Sequence, residues 1–104
     1  MPSSRPAARN SASEGVAALR DAAEVVALRL SGDDSDADLQ ELAEALGRLE
    51  TTCAELTTAN RGTWKARLVA ARKHFHEARD LLDDGEPADA VALEVMAGRE
   101  GLRN

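Results

Sequence analysis

Few side chains in this 104-residue sequence could carry out covalent or metal chemistry, and their spacing keeps them apart. The single cysteine, Cys53, can form neither an internal disulfide nor a cysteine-based zinc site. His74 and His76 are two residues apart, so on a helix they point about 160° away from each other and cannot share a metal ion. We therefore predict a protein that is not an enzyme and that needs no metal or cofactor.

Charge is segregated along the chain, whose net charge is −6. Residues 33–60 contain eight acids and one arginine, whereas residues 61–79 contain six Lys or Arg, both histidines and a single acid, Glu77. On a helix, five basic residues of the second stretch lie along one edge, within a sector of about 60°. We call this edge the basic ridge, and its members are Arg61, Lys65, Arg72, His76 and Arg79.

The basic ridge has three interpretations. It can be a solvated edge balanced by acids on neighbouring helices, which we weight most heavily. It can also hold an acidic protein partner, or contact nucleic-acid phosphates. The acidic net charge and the lack of a recognisable DNA- or RNA-binding motif disfavour nucleic acid. Trp64 fits a core position by its spacing, but as an interface-prone residue it is included with the ridge as a partner-binding candidate.

Composition predicts helices to position these residues. Aromatic residues make up 2% of the chain and isoleucine is absent, which argues against an all-β fold. Capping and breaking residues divide the sequence into four helical segments, near 13–30, 35–60, 64–82 and 87–96. Short loops between them favour antiparallel neighbours. We predict an all-α fold, a small antiparallel bundle of three to four helices over residues 13–104, preceded by a mobile N-terminal tail at residues 1–12.

The segment boundaries depend on a few residues. Ser11 and Glu14 resemble a capping box that would start the first helix. Gly62 can either separate the second and third segments or bend one long helix, and the neighbouring Asn60 and Thr63 favour a turn. We expect the fourth helix to fray after Met96, because glycines follow it.

Apolar residues exceed what one buried face per helix requires. The second segment has a regular apolar seam, formed by Leu39, Leu42, Leu46, Leu49, Cys53, Leu56 and Asn60. The first segment has a comparable seam of Val16, Leu19, Ala23, Val26 and Leu30, but Val25 and Leu28 form a second stripe outside it. The fourth segment is apolar nearly all round, so it must be covered on every side. We therefore predict a homodimer, and the predicted self-association residues are Val25, Leu28, Val91, Val95 and Met96.

Together these features predict a non-enzymatic protein–protein interaction module, specifically a small bacterial adaptor or regulatory protein in the cytoplasm. No apolar run approaches the roughly 20 residues that span a bilayer, so no membrane association is expected. Two alternatives stay open. One is a nucleic-acid-associated regulator that uses the ridge of the 61–79 helix. The other is an acidic inhibitor or antitoxin-like protein that binds through Glu41, Glu44 and Glu55.

Overall fold

Four helices form the described part of the chain. The computed structural model describes the backbone of residues 4–32 and 39–103, and the side chains of residues 14–32 and 39–103. Within these ranges there is no strand, and the helices are α1 (Ser4–Ser31), α2 (Leu39–Ala59), α3 (Thr63–Asp83) and α4 (Ala88–Glu100). The predicted all-α class is confirmed.

The helices run antiparallel to their neighbours. Arg29 near the end of α1 contacts Glu41 at the start of α2, and Gly15 near the other end of α1 lies beside Leu56. Each helix packs against two others in chain order, with α4 returning to α1, and the described residues give no α1–α3 or α2–α4 contact. The α1–α4 side and the α2–α3 side therefore face in opposite directions.

The core is built from one apolar face of each helix. The predicted seam of α1, which includes Val16, Leu19 and Ala23, is buried. The α2 seam is buried from Leu42 to Cys53, although Leu39 at the start of that helix is exposed. Buried residues of these helices and of α3 and α4 join in one hydrophobic cluster.

Helix ends differ in part from the predicted ones. α1 begins at Ser4 and continues through Ser11, so Ser11 does not cap it and the predicted capping box is wrong. The mobility predicted for residues 1–12 stays a prediction, and residues 1–3 lie outside the described residues. Pro87, which is predicted to be the first residue of the fourth helix, instead immediately precedes α4, and that helix begins at Ala88. That helix continues to Glu100, because Gly98 packs against Phe75 and the side chain of Leu102 is buried just beyond.

Gly62 separates α2 from α3, as the turn interpretation predicted. Its φ of 68° lies in the left-handed region, and a Cβ added there would meet nothing within 4 Å. Only the backbone conformation therefore demands glycine at this position.

Replacing Gly62 with alanine should lower the free energy of unfolding by about 1 kcal/mol, because an L-residue is strained at this φ. The matched control is Gly47→Ala inside α2, where an added Cβ would lie 3.7 Å from Nη1 of Arg79 without a clash. The free energy of unfolding of that variant should rise by about 0.5–1 kcal/mol. Urea unfolding at one protein concentration measures both values, and shifts of the same sign would contradict the assignment of the turn.

The fourth helix requires a correction to the predicted self-association residues. Val91 and Val95 are 0% exposed and belong to the core of the single chain, so they are unavailable to a second copy. They are enclosed because α4 packs against both α1 and α3. Val25, Leu28 and Met96 are exposed at the surface, as their predicted role requires.

Candidate functional site

Cys53 is a buried core residue between α2 and α3. Its side chain is 0% exposed, and its thiol donates a hydrogen bond to the carbonyl oxygen of Leu68 at 3.2 Å. Burial raises the pKa of this thiol to about 11, although the nearby positive charge of Arg72 acts in the opposite direction. The neutral thiol is therefore the dominant form near pH 7, and a weak nucleophile.

The two histidines point to different neighbours, as their spacing predicts. Nδ1 of His74 lies 2.6 Å from Glu94 on α4, whereas Nδ1 of His76 lies 2.7 Å from Glu50 on α2. Each histidine thus links α3 to one adjacent helix. Among the residues that the structure describes, no group of three or more His, Cys, Asp or Glu is arranged to hold a metal ion.

One end of the basic ridge is balanced within the chain. Glu50 lies 2.7 Å from His76 and 3.3 Å from Nη1 of Arg79. Its side chain is only 12% exposed, so the α2–α3 packing holds the carboxylate between these two residues. His76 and Arg79 already contact an acidic residue of the chain, and their assignment as partner-binding residues stays a prediction.

The other end of the ridge is unbalanced. Arg61, Lys65 and Arg72 are exposed, and within residues 14–32 and 39–103 no carboxylate forms an ion pair with any of them. We call these three residues the open ridge. Their positive charges are available to a partner.

A trough between α2 and α3 runs beside the open ridge. Its larger part, about 670 Å³, is lined by Glu50, Ala54, Thr57, Thr58, Val69, Arg72, Lys73, His76 and Glu77. Its smaller part, about 430 Å³, is lined by Thr57, Thr58, Asn60, Arg61, Gly62 and Lys65. Thr57 and Thr58 line both parts, so the two are adjacent, and we call them together the α2–α3 trough.

Trp64 lies outside this trough. Its half-buried ring packs against the hydrophobic core, and the guanidinium of Arg67 lies 5.0 Å from the ring centroid. Arg67 also donates a hydrogen bond to the carbonyl oxygen of Arg103, just after α4. Trp64 therefore packs against the core, as its spacing suggested, and its inclusion among the partner-binding candidates stays a prediction.

A second surface lies on the opposite side of the molecule. Val25 and Leu28 of α1 are 56% and 62% exposed, and Leu93 and Met96 of α4 are 73% and 37% exposed. Leu28, Leu93 and Met96 line one groove of about 410 Å³ between the two helices, whereas Val25 lines a separate groove of about 510 Å³ between α1 and α2. We call these four residues the outer apolar face.

Ion pairs within the chain flank the outer apolar face. Arg99 of α4 contacts Glu24 of α1 at 3.0 Å, and Arg29 contacts Glu41 at 3.2 Å. The acidic group proposed as an alternative site is therefore partly engaged, because Glu41 belongs to it. Glu44 and Glu55 are exposed on α2.

Sequence reasoning missed several residues of these surfaces. Val69 is 40% exposed in the trough, and its position off the apolar face of α3 was the available signal. Lys73 also lines the trough, although its helical angle places it off the ridge. The role of Glu50 had no local signal, because it depends on how α2 and α3 align.

Within the part of the chain that the structure describes, no helix is long and apolar enough to cross a membrane. Comparison with protein-family models, curated proteins and solved structures finds no match to this chain.

Proposed function

We propose that this chain is a non-enzymatic helical interaction module that forms a homodimer and holds a protein partner in the α2–α3 trough. One observation carries the proposal: two opposite sides of the molecule keep binding groups that have no partner among the described residues. These groups are the apolar side chains of the outer apolar face and the cations of the open ridge. A small adaptor or regulatory protein requires such surfaces.

The positions of the reactive side chains support a non-enzymatic role. Cys53 is buried with a raised pKa, and both histidines contact carboxylates that link neighbouring helices. A nucleophilic site would need an accessible nucleophile next to a base. The chemistry of these residues is instead used to join the helices.

The outer apolar face suits a second copy of the same chain. A twofold interface must be complementary to itself, and this face carries exposed apolar side chains of both helices, including Leu28 and Leu93, which line the groove between α1 and α4. Glu24 and Arg29 at its edge are already paired within the chain, which limits repulsion between two acidic molecules. Dimers formed this way would leave both α2–α3 troughs open on their outer sides.

The open ridge can be tested by reversing its charge. Arg61→Glu with Arg72→Glu should reduce capture of the native partner by at least about tenfold. The introduced carboxylates would repel the acidic groups of the partner and slow its association with the trough. The measurement is quantitative mass spectrometry of proteins captured from the host by the full chain. The fold of the variant is checked by circular dichroism, since both side chains are exposed.

The matched control carries the same change in net charge elsewhere. Arg20→Glu with Arg48→Glu alters two arginines outside the trough, and we expect it to capture the same partner as the wild-type chain. Identical capture by the wild-type chain and both variants would refute the partner site. Ridge-dependent retention on nucleic acid at low salt, without any captured protein, would instead favour the regulator alternative.

A further inference from the structure

We infer that the α2–α3 trough binds an acidic amphipathic helix of the partner, an inference that rests on the partner role proposed above. The trough lies between two neighbouring antiparallel helices, and such grooves accept a third helix laid along them. Residues that line it extend along α3 from Lys65 to Glu77. At 1.5 Å per residue this is about 18 Å, the length of a helix of roughly three turns.

The base of the trough is suited to apolar side chains. Val69 is 40% exposed there, next to Ala54. The hydroxyl groups of Thr57 and Thr58 each donate to a carbonyl oxygen of their own helix at 2.7 Å, to Cys53 and Glu55 respectively. Those donors are thus occupied within α2. A nucleic-acid backbone would not cover this apolar base, whereas one face of an amphipathic helix would.

The rim of the trough selects for negative charge. Arg61, Lys65, Arg72 and Lys73 line it, against the single unpaired carboxylate of Glu77. Glu50 also lines it, but this carboxylate is already held by His76 and Arg79. The trough therefore carries an excess of positive charge that acidic residues on a partner helix can match.

The spacing of the open ridge specifies where those acids lie. Lys65 and Arg72 lie seven residues apart on α3, whereas Arg61 lies in the turn just before that helix. A partner helix in either direction would match the two α3 cations with acids at i and i+7. Glutamates at i, i+4, i+7 and i+11 contain this spacing twice and add acids toward Arg61, and leucines on the adjacent face would reach Val69 and Ala54.

A synthetic helical peptide of about 15 residues with this pattern is the probe, and fluorescence anisotropy with the full chain measures its dissociation constant. We expect Arg72→Glu to weaken binding by at least about tenfold and Arg48→Glu by less than about twofold. Val69→Asn should also weaken binding, by about fivefold, because a polar amide then occupies the apolar base. Circular dichroism verifies that each variant remains helical.

Two further probes separate the apolar contribution from charge alone. A peptide of identical composition in scrambled order should bind at least about tenfold more weakly, because its leucines and glutamates no longer share faces. A short DNA duplex should not compete. Equal binding of the scrambled peptide, competition by DNA, or no binding of the patterned peptide would each overturn the inference.

Failure of this inference is distinguishable from failure of the proposed function. If capture of a native protein depends on the open ridge but the patterned peptide does not bind, the trough is still the partner site. Its ligand is then not an acidic helix. If Arg61→Glu with Arg72→Glu does not change capture of the native partner, the trough is not the partner site.

Discussion

Replacing Phe75 with alanine is expected to lower the free energy of unfolding by about 3–5 kcal/mol. Phe75 is 0% exposed and is the largest fully buried side chain of the described residues. It packs closely against α4, since a Cβ added at Gly98 would lie 2.8 Å from its Cε1 atom. Truncation would leave a cavity between α3 and α4 that glycine cannot fill.

The measurement is urea unfolding at a fixed protein concentration, followed by circular dichroism and by Trp64 fluorescence. The control is Val69→Ala on the same helix. It should lower the free energy of unfolding by less than about 1 kcal/mol, because Val69 is 40% exposed. A loss below about 1 kcal/mol for Phe75→Ala would mean that α4 does not pack on α3 as described.

Introducing charge into the outer apolar face is expected to dissociate the proposed homodimer. Leu28→Glu with Leu93→Glu should weaken self-association by at least about a hundredfold, because two carboxylates per chain would be buried against their symmetry copies. Both side chains are exposed in the single chain, at 62% and 73%, so its helical fold should persist.

Sedimentation equilibrium provides the molar mass of this variant, and circular dichroism its helix content. The control is Val69→Glu, which places a charge on an exposed apolar residue of the opposite side and should leave the dimer intact. Loss of helix content in the Leu28 and Leu93 variant would show that these residues support the single chain instead. Dissociation of the dimer by Val69→Glu would show that the dimer interface lies in the trough.

Helical periodicity predicted most of the core but not the surroundings of α4. The α1 seam and the part of the α2 seam from Leu42 to Cys53 are buried as predicted, because each helix presents one apolar face to the others. Val91 and Val95 appeared to require a second chain, yet α1 and α3 cover them. One sequence window cannot show how many neighbours a helix has.

The charge pattern predicted which edge of α3 carries the basic residues but not which of them form ion pairs within the chain. The angles of α3 residues follow from the sequence, so the grouping of Lys65 with Arg79 on one edge was accessible, whereas Arg61 lies in the turn before the helix. Whether Glu50 reaches His76 and Arg79 depends on how far α2 is shifted along α3, which local pattern does not specify. The division into a balanced end and an open ridge therefore required the three-dimensional structure.

This chain exposes large apolar side chains on its outer apolar face, and we propose that it uses that surface for self-association. Multi-angle light scattering of the purified wild-type chain at tens of micromolar tests it most directly. We expect the mass of two 11.0-kDa chains. A mass of one 11.0-kDa chain at every concentration up to about 100 µM would contradict the claim.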